Sequence, residues 1–317
     1  MHSLNDRAHQ LVQTIVTDAS SLGAIVGTAE CGTQVIDCGS KQTPGSVELG
    51  LLLARICLAD LAEVSLVPSQ GILPTEHLIA VSTSEPLLAC MASQYAGWKI
   101  SHDNYFAMGS GPMRALHGGE AILSEITLHE SRRVAVGVLE GKIPPSVVCE
   151  NVARDCGVAP SSLTLLAART ASLAGTIQVV ARSVETALHK MHTLGISLAM
   201  VRCGTGTAPL VPLASDDLGA IGWTNDAVLY GGDVTLEVEH ASDGYLADVV
   251  TEIPSSVSKD FGRPFREIFS SYGYDFYKLD PLLFSPAKIK LVNLTTGKEH
   301  EAGRLRGDIL AQALAGK

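Results

Sequence analysis

The same order of elements is written twice in this chain, about 130 positions apart, and that repeat limits the fold more than any other feature. In the first copy an apolar strand pattern at Thr33–Cys38 runs into the turn formers Thr43-Pro44-Gly45-Ser46. A helix pattern from Ser46 to Leu61 follows, and then a strand at Glu63–Val67. In the second copy Leu163–Ala168 reads as a strand. Ser172-Leu173-Ala174-Gly175 turns into a helix reaching His192, and Ser197–Arg202 reads as the next strand. Gly45 aligns with Gly175 without a gap, and Val47, Ala54, Leu58 and Leu61 align with Ile177, Val184, Leu188 and Met191. Strand–helix–strand order points to βαβ units, and its recurrence points to internal duplication. Two such units also align by chance, so the repeat alone leaves duplication open.

Each copy leads into further alternation. Leu78–Ser82 and Tyr105–Met108 read as strands around a helix from Glu85 to Trp98. Later, Val228–Glu239 reads as a strand or hairpin, Asp243–Ile253 as a helix, Ile289–Val292 as a strand and Leu305–Leu314 as a closing helix. The aromatic-rich stretch Ser255–Pro281 carries no clear period and reads as a lid or a subunit contact. A chain of 317 residues with 46% hydrophobic content is long enough for two buried cores. The Pro144-Pro145 pair interrupts helix and sheet alike. It marks the expected boundary between a first α/β domain, 1–143, and a second, 144–317.

Charge and cysteine usage narrow the function classes. The formal net charge is −10 and no Lys/Arg run offers a phosphate footprint, which argues against nucleic acid. No apolar run is long enough to span a membrane. Met1–Ser20 reads as a helix without the basic start of a signal peptide. Seven scattered cysteines contain no C-x-x-C pair. They read as reduced, mostly buried thiols of an intracellular protein, with neither disulfides nor zinc.

The helix expected from Ser172 to His192 has two faces. Leu173, Ile177, Val180, Val184, Leu188 and Met191 form an apolar stripe. Opposite lie Gln178, Arg182, Glu185 and His189, where an arginine and a glutamate three apart are neighbours. Spacing alone assigns such a stripe to solvent. Two features pull against that: the stripe holds no lysine, and the corresponding first-copy positions are Glu48, Leu52, Arg55 and Ala59, so only one copy is uninterruptedly polar. His189 and His192 could share a metal, but no third ligand lies nearby. Two glycine-rich stretches, Met108-Gly109-Ser110-Gly111-Pro112 with Arg114 beyond it and Cys203-Gly204-Thr205-Gly206-Thr207-Ala208-Pro209, read as turns after strands or as ligand loops. Both lack the third glycine of a dinucleotide fingerprint and the lysine of a phosphate loop. His117-Gly118-Gly119-Glu120 is no zinc-protease signature.

Several segments together resemble the methenyltetrahydromethanopterin cyclohydrolase family. They are Ala92-Ser93-Gln94-Tyr95-Ala96-Gly97-Trp98, Tyr105 to Pro112, Ala181-Arg182-Ser183-Val184-Glu185-Thr186, the Gly-Thr-Ala-Pro run from Gly206, and Gly222-Trp223-Thr224-Asn225-Asp226-Ala227-Val228-Leu229-Tyr230-Gly231-Gly232. The likeness starts near Gly32 and covers most of the chain. It implies two similar α/β domains enclosing a pocket, a cytoplasmic homotrimer, a pterin substrate and no metal or redox cofactor. It also implies reversible hydrolysis of a methenyl bridge to a formyl group in methanogenic or methylotrophic one-carbon metabolism. It carries the catalytic roles onto Glu185 and Arg182. Substrate contacts are expected at Ser93, Gln94 and Tyr95 on the pterin side, at Gly204, Thr205 and Gly206 near the polar tail, and at Gln178, Asn225 and Asp226. In this reading Glu185 is the general base that activates water, and Arg182 orients the carboxylate or meets the developing formyl oxygen. Rival readings are a cofactor-dependent oxidoreductase, a pterin- or folate-binding relative without this activity, and the same chemistry on a folate carrier.

Overall fold

The computed structural model describes residues 3–40, 42, 43, 45–71 and 73–316, with Tyr277 described by its backbone alone. Pro44 of the first expected turn and Met1 of the first expected helix lie outside the described residues. The chain begins with α1 (Leu4–Thr17), α2 (Ala19–Leu22), β1 (Ile25–Thr28), β2 (Gln34–Gly39), α3 (Val47–Cys57), β3 (Glu63–Pro68) and β4 (His77–Thr83). A π-helix at Leu87–Gln94 leads to β5 (Trp98–His102), β6 (Tyr105–Ser110), α4 (Met113–His117), β7 (Ala135–Glu140), α5 (Ser146–Cys156), β8 (Leu163–Ala168) and α6 (Leu173–Val180). Then come α7 (Ser183–Thr193), β9 (Val201–Pro209), α8 (Asp217–Gly231), β10 (Asp233–Val238), α9 (Asp243–Val250), α10 (Phe265–Ser271), β11 (Lys288–Asn293), β12 (Glu299–Gly303) and α11 (Gly307–Ala315). The fold is α/β, in two halves that each hold a mixed six-stranded sheet.

The first compact unit joins residues Met1–Ala62 to Leu88–Gln178. Its sheet runs β1-β2-β8-β7-β6-β5. β8 sits parallel between β2 and β7 and is buried along all six residues. A central parallel strand is covered on both faces, which explains its unbroken apolar sequence. Leu166 packs toward one core with Ile36, Val138 and residues of α1 and α3, among them Val12, Leu49 and Leu53. Its neighbour Leu165 packs toward the other, with Leu116, Val148 and Val152. Ser3 caps α1 through the Asp6 N–H, and Ser46 caps α3 through the Leu49 N–H. Gly50 lets α3 close on α6, because a Cβ there would stand 2.7 Å from Ile177 Cδ1.

The second unit joins Glu63–Leu87 to Val179–Lys317, and its sheet runs β12-β11-β10-β9-β4-β3. This sheet is covered on one face. Val234, Leu236, Val238, Ile289 and Leu291 are buried, while the alternating Thr235, Glu237, Lys288 and Lys290 stay half-exposed. α7 and α8 pack against β9.

Several elements differ from the sequence expectation. β2 and β3 belong to different sheets, and so do β8 and β9, so neither strand–helix–strand run closes as a βαβ unit in one sheet. The units are also discontinuous, and Pro144-Pro145 lies inside the first of them rather than at 143/144. The β3–β4 hairpin pairs with β9, from Leu78 opposite Pro209 to Thr83 opposite Gly204, whereas β8 pairs with β2 and β7. Long-range pairing of this kind leaves no local mark. Of the expected strand or hairpin Val228–Glu239, Asp233–Val238 is β10 but Val228–Gly231 ends α8, whose start is capped by Asp216 accepting the Gly219 N–H at 2.7 Å. That helix packs on β9, α10 and α11 and lacks one polar face, so its run Val228-Leu229-Tyr230 mimics a strand. The aromatic stretch Ser255–Pro281 contains α10. Its Phe265 and Phe269 are buried and in ring contact with Phe276, which makes that part of the stretch core. The Glu85–Trp98 helix is shorter than expected and of π type.

Candidate active site

The expected long helix is two helices. α6 ends at Val180, the Arg182 N–H reaches back only to Val179 O, and α7 starts at Ser183. Val179 and Val180 are β-branched and weak helix formers, which favours a stop here. Arg182 therefore occupies the N-cap position of α7, with φ −93° and ψ 13°, and its carbonyl accepts the Thr186 N–H at 2.9 Å. Glu185 stands in the first turn. The break leaves the pair intact: Arg182 Nη1 lies 3.9 Å from Glu185 Oε2, and the two residues are only 6% and 4% exposed. Gln178, Arg182 and Glu185 of the polar stripe are thus buried, and His189 is half-buried. Burial opposes charge on the carboxylate, while the guanidinium and the helix N-terminus favour it.

α7 is held by its other face. Ser183 and Val184 are fully buried and sit over β9. A Cβ on Gly204 would stand 2.7 Å from Val184 Cγ1, and one on Gly206 would stand 2.7 Å from Ser183 Oγ. These glycines let strand and helix approach closely. Cys203–Pro209 is thus not a loop but β9 itself. Side chains alternate along a strand, so Thr205 points to the sheet's opposite face. There it borders a shallow cavity of about 390 Å³ with Glu63, Ser65, Ser82, Thr207 and Thr235. The Cβ positions of Gly204 and Gly206 point to the α7 side instead, although Gly206 also lines the cavity.

In the first unit Ser93, Gln94 and Tyr95 form the end of the π-helix and the residue after it. Ser93 and Gln94 are buried and Tyr95 is half-buried. Ser93 Oγ donates to Cys57 O at 2.6 Å, and the Cys57 thiol donates to Gln178 Oε1 at 3.7 Å. Cys57 therefore ties together two expected substrate-contact residues that lie far apart in sequence. Beneath Tyr95 lies Arg114, fully buried, with its guanidinium carbon 5.0 Å from the ring centroid and its Nε 2.8 Å from Glu120 Oε1. No motif in the sequence marks Cys57. Arg114 and Glu120 stand beside motifs in the sequence, with nothing there to pair them.

Asn225 and Asp226 lie on α8. Asn225 donates to Ile221 O at 2.8 Å. Asp226 is fully buried, and its Oδ1 accepts the Phe265 N–H at the start of α10 at 2.7 Å. Burial pushes its carboxyl up to about 8, against the pull of that N–H. Lys190, five residues on from Glu185 in α7, is also buried. Its ammonium donates to Leu282 O, and burial brings it down to about 8 despite Asp280 and Glu252. Burial and His192 lower the His189 pKa. Among the described residues, no three His, Cys, Asp or Glu side chains gather as metal ligands. Among them, too, no helix is long and apolar enough to cross a membrane.

Comparison with known proteins agrees along the whole chain. A family model described as Cyclohydrolase (MCH) matches residues 3–314. A methenyltetrahydromethanopterin cyclohydrolase of Methylobacillus flagellatus is 44% identical over 312 residues, covering 98% of this chain and 95% of the relative. One of Rhodopirellula baltica is 47% identical over 290 residues, covering 89% and 86%. One of Methanosarcina mazei is 38% identical over 318 residues, covering 99% and 98%. With a family model matching residues 3–314 and relatives this similar, the chain belongs to the cyclohydrolase (MCH) family.

Proposed function

We propose that this protein interconverts 5,10-methenyl-tetrahydromethanopterin and 5-formyl-tetrahydromethanopterin in one-carbon metabolism, with Glu185 as the general base. The observation that carries the residue assignment is the buried Arg182/Glu185 pair at the start of α7. The names of the near full-length relatives support the substrate.

The methenyl carbon bridges two nitrogens as an amidinium cation and is already electrophilic. The reaction therefore calls for no metal or redox cofactor. What it needs is a water that is aimed and deprotonated as it attacks. Glu185 takes the water proton while oxygen bonds to carbon, giving a tetrahedral intermediate. The protonated carboxyl then returns that proton to the departing nitrogen as its bond to carbon breaks, and the hydroxyl left on the carbon releases its own proton to solvent, so that the formyl C=O forms on N5 and one proton is set free overall. Arg182 orients the carboxylate and stabilises charge on the developing formyl oxygen. Ser93, Gln94 and Tyr95 meet the pterin, and Gln178, Gly204, Thr205, Gly206, Asn225 and Asp226 shape the remaining contacts directly or through packing. The working form in this proposal is a cytoplasmic homotrimer.

The test is loss of the methenyl absorbance when purified protein meets methenyl-tetrahydromethanopterin, run beside methenyl-tetrahydrofolate. Turnover of the methanopterin form to the 5-formyl product is expected. Binding without turnover would instead make the protein a pterin-binding relative, and preference for the folate would reassign the carrier.

A further inference from the structure

A π-helix bonds each carbonyl to the N–H five residues on, so the carbonyls of its last turn have no partner within the helix. At Leu87–Gln94 the Tyr95 N–H closes Cys90 O at 2.8 Å. Beyond it one side chain takes over. Arg114 Nη1 donates to Met91 O at 3.0 Å and to Ser93 O at 3.1 Å. The Gly111 N–H adds a bond to Ser93 O at 2.9 Å, from a backbone at φ +87° that suits glycine. The far side of the same guanidinium is gripped by Glu120, with Nε on Oε1 and Nη2 on Oε2. Its face lies under the Tyr95 ring.

The surroundings leave this group little freedom. Arg114 has no exposed surface, and the Glu120 side chain has little. Gly97 keeps the space open: a Cβ there would stand 2.0 Å from Glu120 Oε2 and 2.6 Å from Tyr95 Cε1. Burying an arginine is costly, and a pair like this is weak evidence for stability. What it does supply is a fixed geometry. The planar fork sets two carbonyls, a carboxylate and an aromatic ring at once, which a lysine cannot reproduce.

We propose that Arg114 is a positioning residue for pterin recognition, locking Ser93, Gln94 and Tyr95 in the conformation that receives the planar ring of the substrate. This rests on the reading that those three residues meet the pterin. Arg114 acts through them and takes no part in the proton transfers at Glu185. Its loss therefore acts on substrate affinity and spares the chemical step.

The test is steady-state kinetics with methenyl-tetrahydromethanopterin on Arg114→Lys and Glu120→Gln, with circular dichroism at the assay temperature. Arg114→Lys should raise KM at least about tenfold with kcat within about threefold. Glu120→Gln should shift KM the same way by less. Parental KM in both variants overturns the proposal, as does a fall in kcat that tracks the folded fraction. If Arg114→Lys does not fold, Glu120→Gln decides: a raised KM with kcat within about threefold supports the proposal, and a parental KM overturns it. A parent that does not turn over the methenyl pterin refutes the functional reading and this inference with it. An active parent with unshifted variants refutes this inference alone.

Discussion

Replacing Gly204 by alanine puts a methyl between β9 and α7, directly under the turn that presents Glu185. The new Cβ would stand 2.7 Å from Val184 Cγ1 and 3.3 Å from Leu236 Cδ2. Val184 is fully buried, and valine in a helix holds essentially one χ1 rotamer, so it cannot swing aside. α7 must shift or strain must be stored, at about 1–3 kcal/mol. Val184→Ala alone should cost about 2 kcal/mol through lost burial and a cavity. In the double variant the added methyl occupies the space the valine vacates. The two costs should then fall short of their sum by about 1–2 kcal/mol. Catalysis should follow the same pattern. A displacement of α7 approaching 1 Å can cost about a hundredfold in rate, so Gly204→Ala should lose kcat and the double variant should regain much of it. Urea denaturation with the methenyl-hydrolysis assay on the four proteins reads both effects. Additive stabilities, or a Gly204→Ala variant with parental kcat, would refute the view that this glycine seats α7.

Asp226 should make stability fall as pH rises. Its folded pKa of about 8 lies above the unfolded carboxylate range, so its contribution is full below about pH 4 and is lost as pH rises toward 8. Asp226→Asn should flatten that part of the melting profile, and a difference curve without slope would reject the assignment. Cys31 should be the fastest thiol to alkylate in the native protein. Burial raises its pKa, but hydrogen bonding with Ser146 and Thr33 outweighs it, and the residue is half-exposed. Cys149 and Cys156 are buried and pushed up to about 12, and burial also raises Cys203. Peptide mapping that finds Cys203 labelled first would contradict this. Arg182→Lys should keep the charge but lose the planar fork, lowering kcat by about tenfold or more in the same assay.

What was legible in the sequence was what leaves a local pattern. β8 was read to the residue because a doubly covered parallel strand is apolar throughout. The Arg182/Glu185 neighbourhood was legible from its spacing of three, which survives whether or not the helix is continuous. The break before Ser183 was not, since an apolar stripe keeps its period across a tightened turn. Sheet membership is hidden for the β3–β4 hairpin because it joins its sheet through β4 pairing with β9, more than a hundred residues away. Gly204 and Gly206 look the same in a loop and in a strand pressed against a helix. Arg114 and Glu120 gain meaning only where the π-helix leaves carbonyls open. The Cys57 link from Ser93 to Gln178 joins positions 36 and 121 residues away from it.

The most direct test of the account is Glu185→Gln. The amide keeps the shape of the side chain and loses the basic oxygen. With the methenyl substrate, kcat should fall by about a hundredfold or more, in line with loss of a general base. Binding should remain measurable by spectral titration and the fold unchanged by circular dichroism. A folded Glu185→Gln variant that turns over at near the parental rate would contradict the assignment of Glu185 as the base.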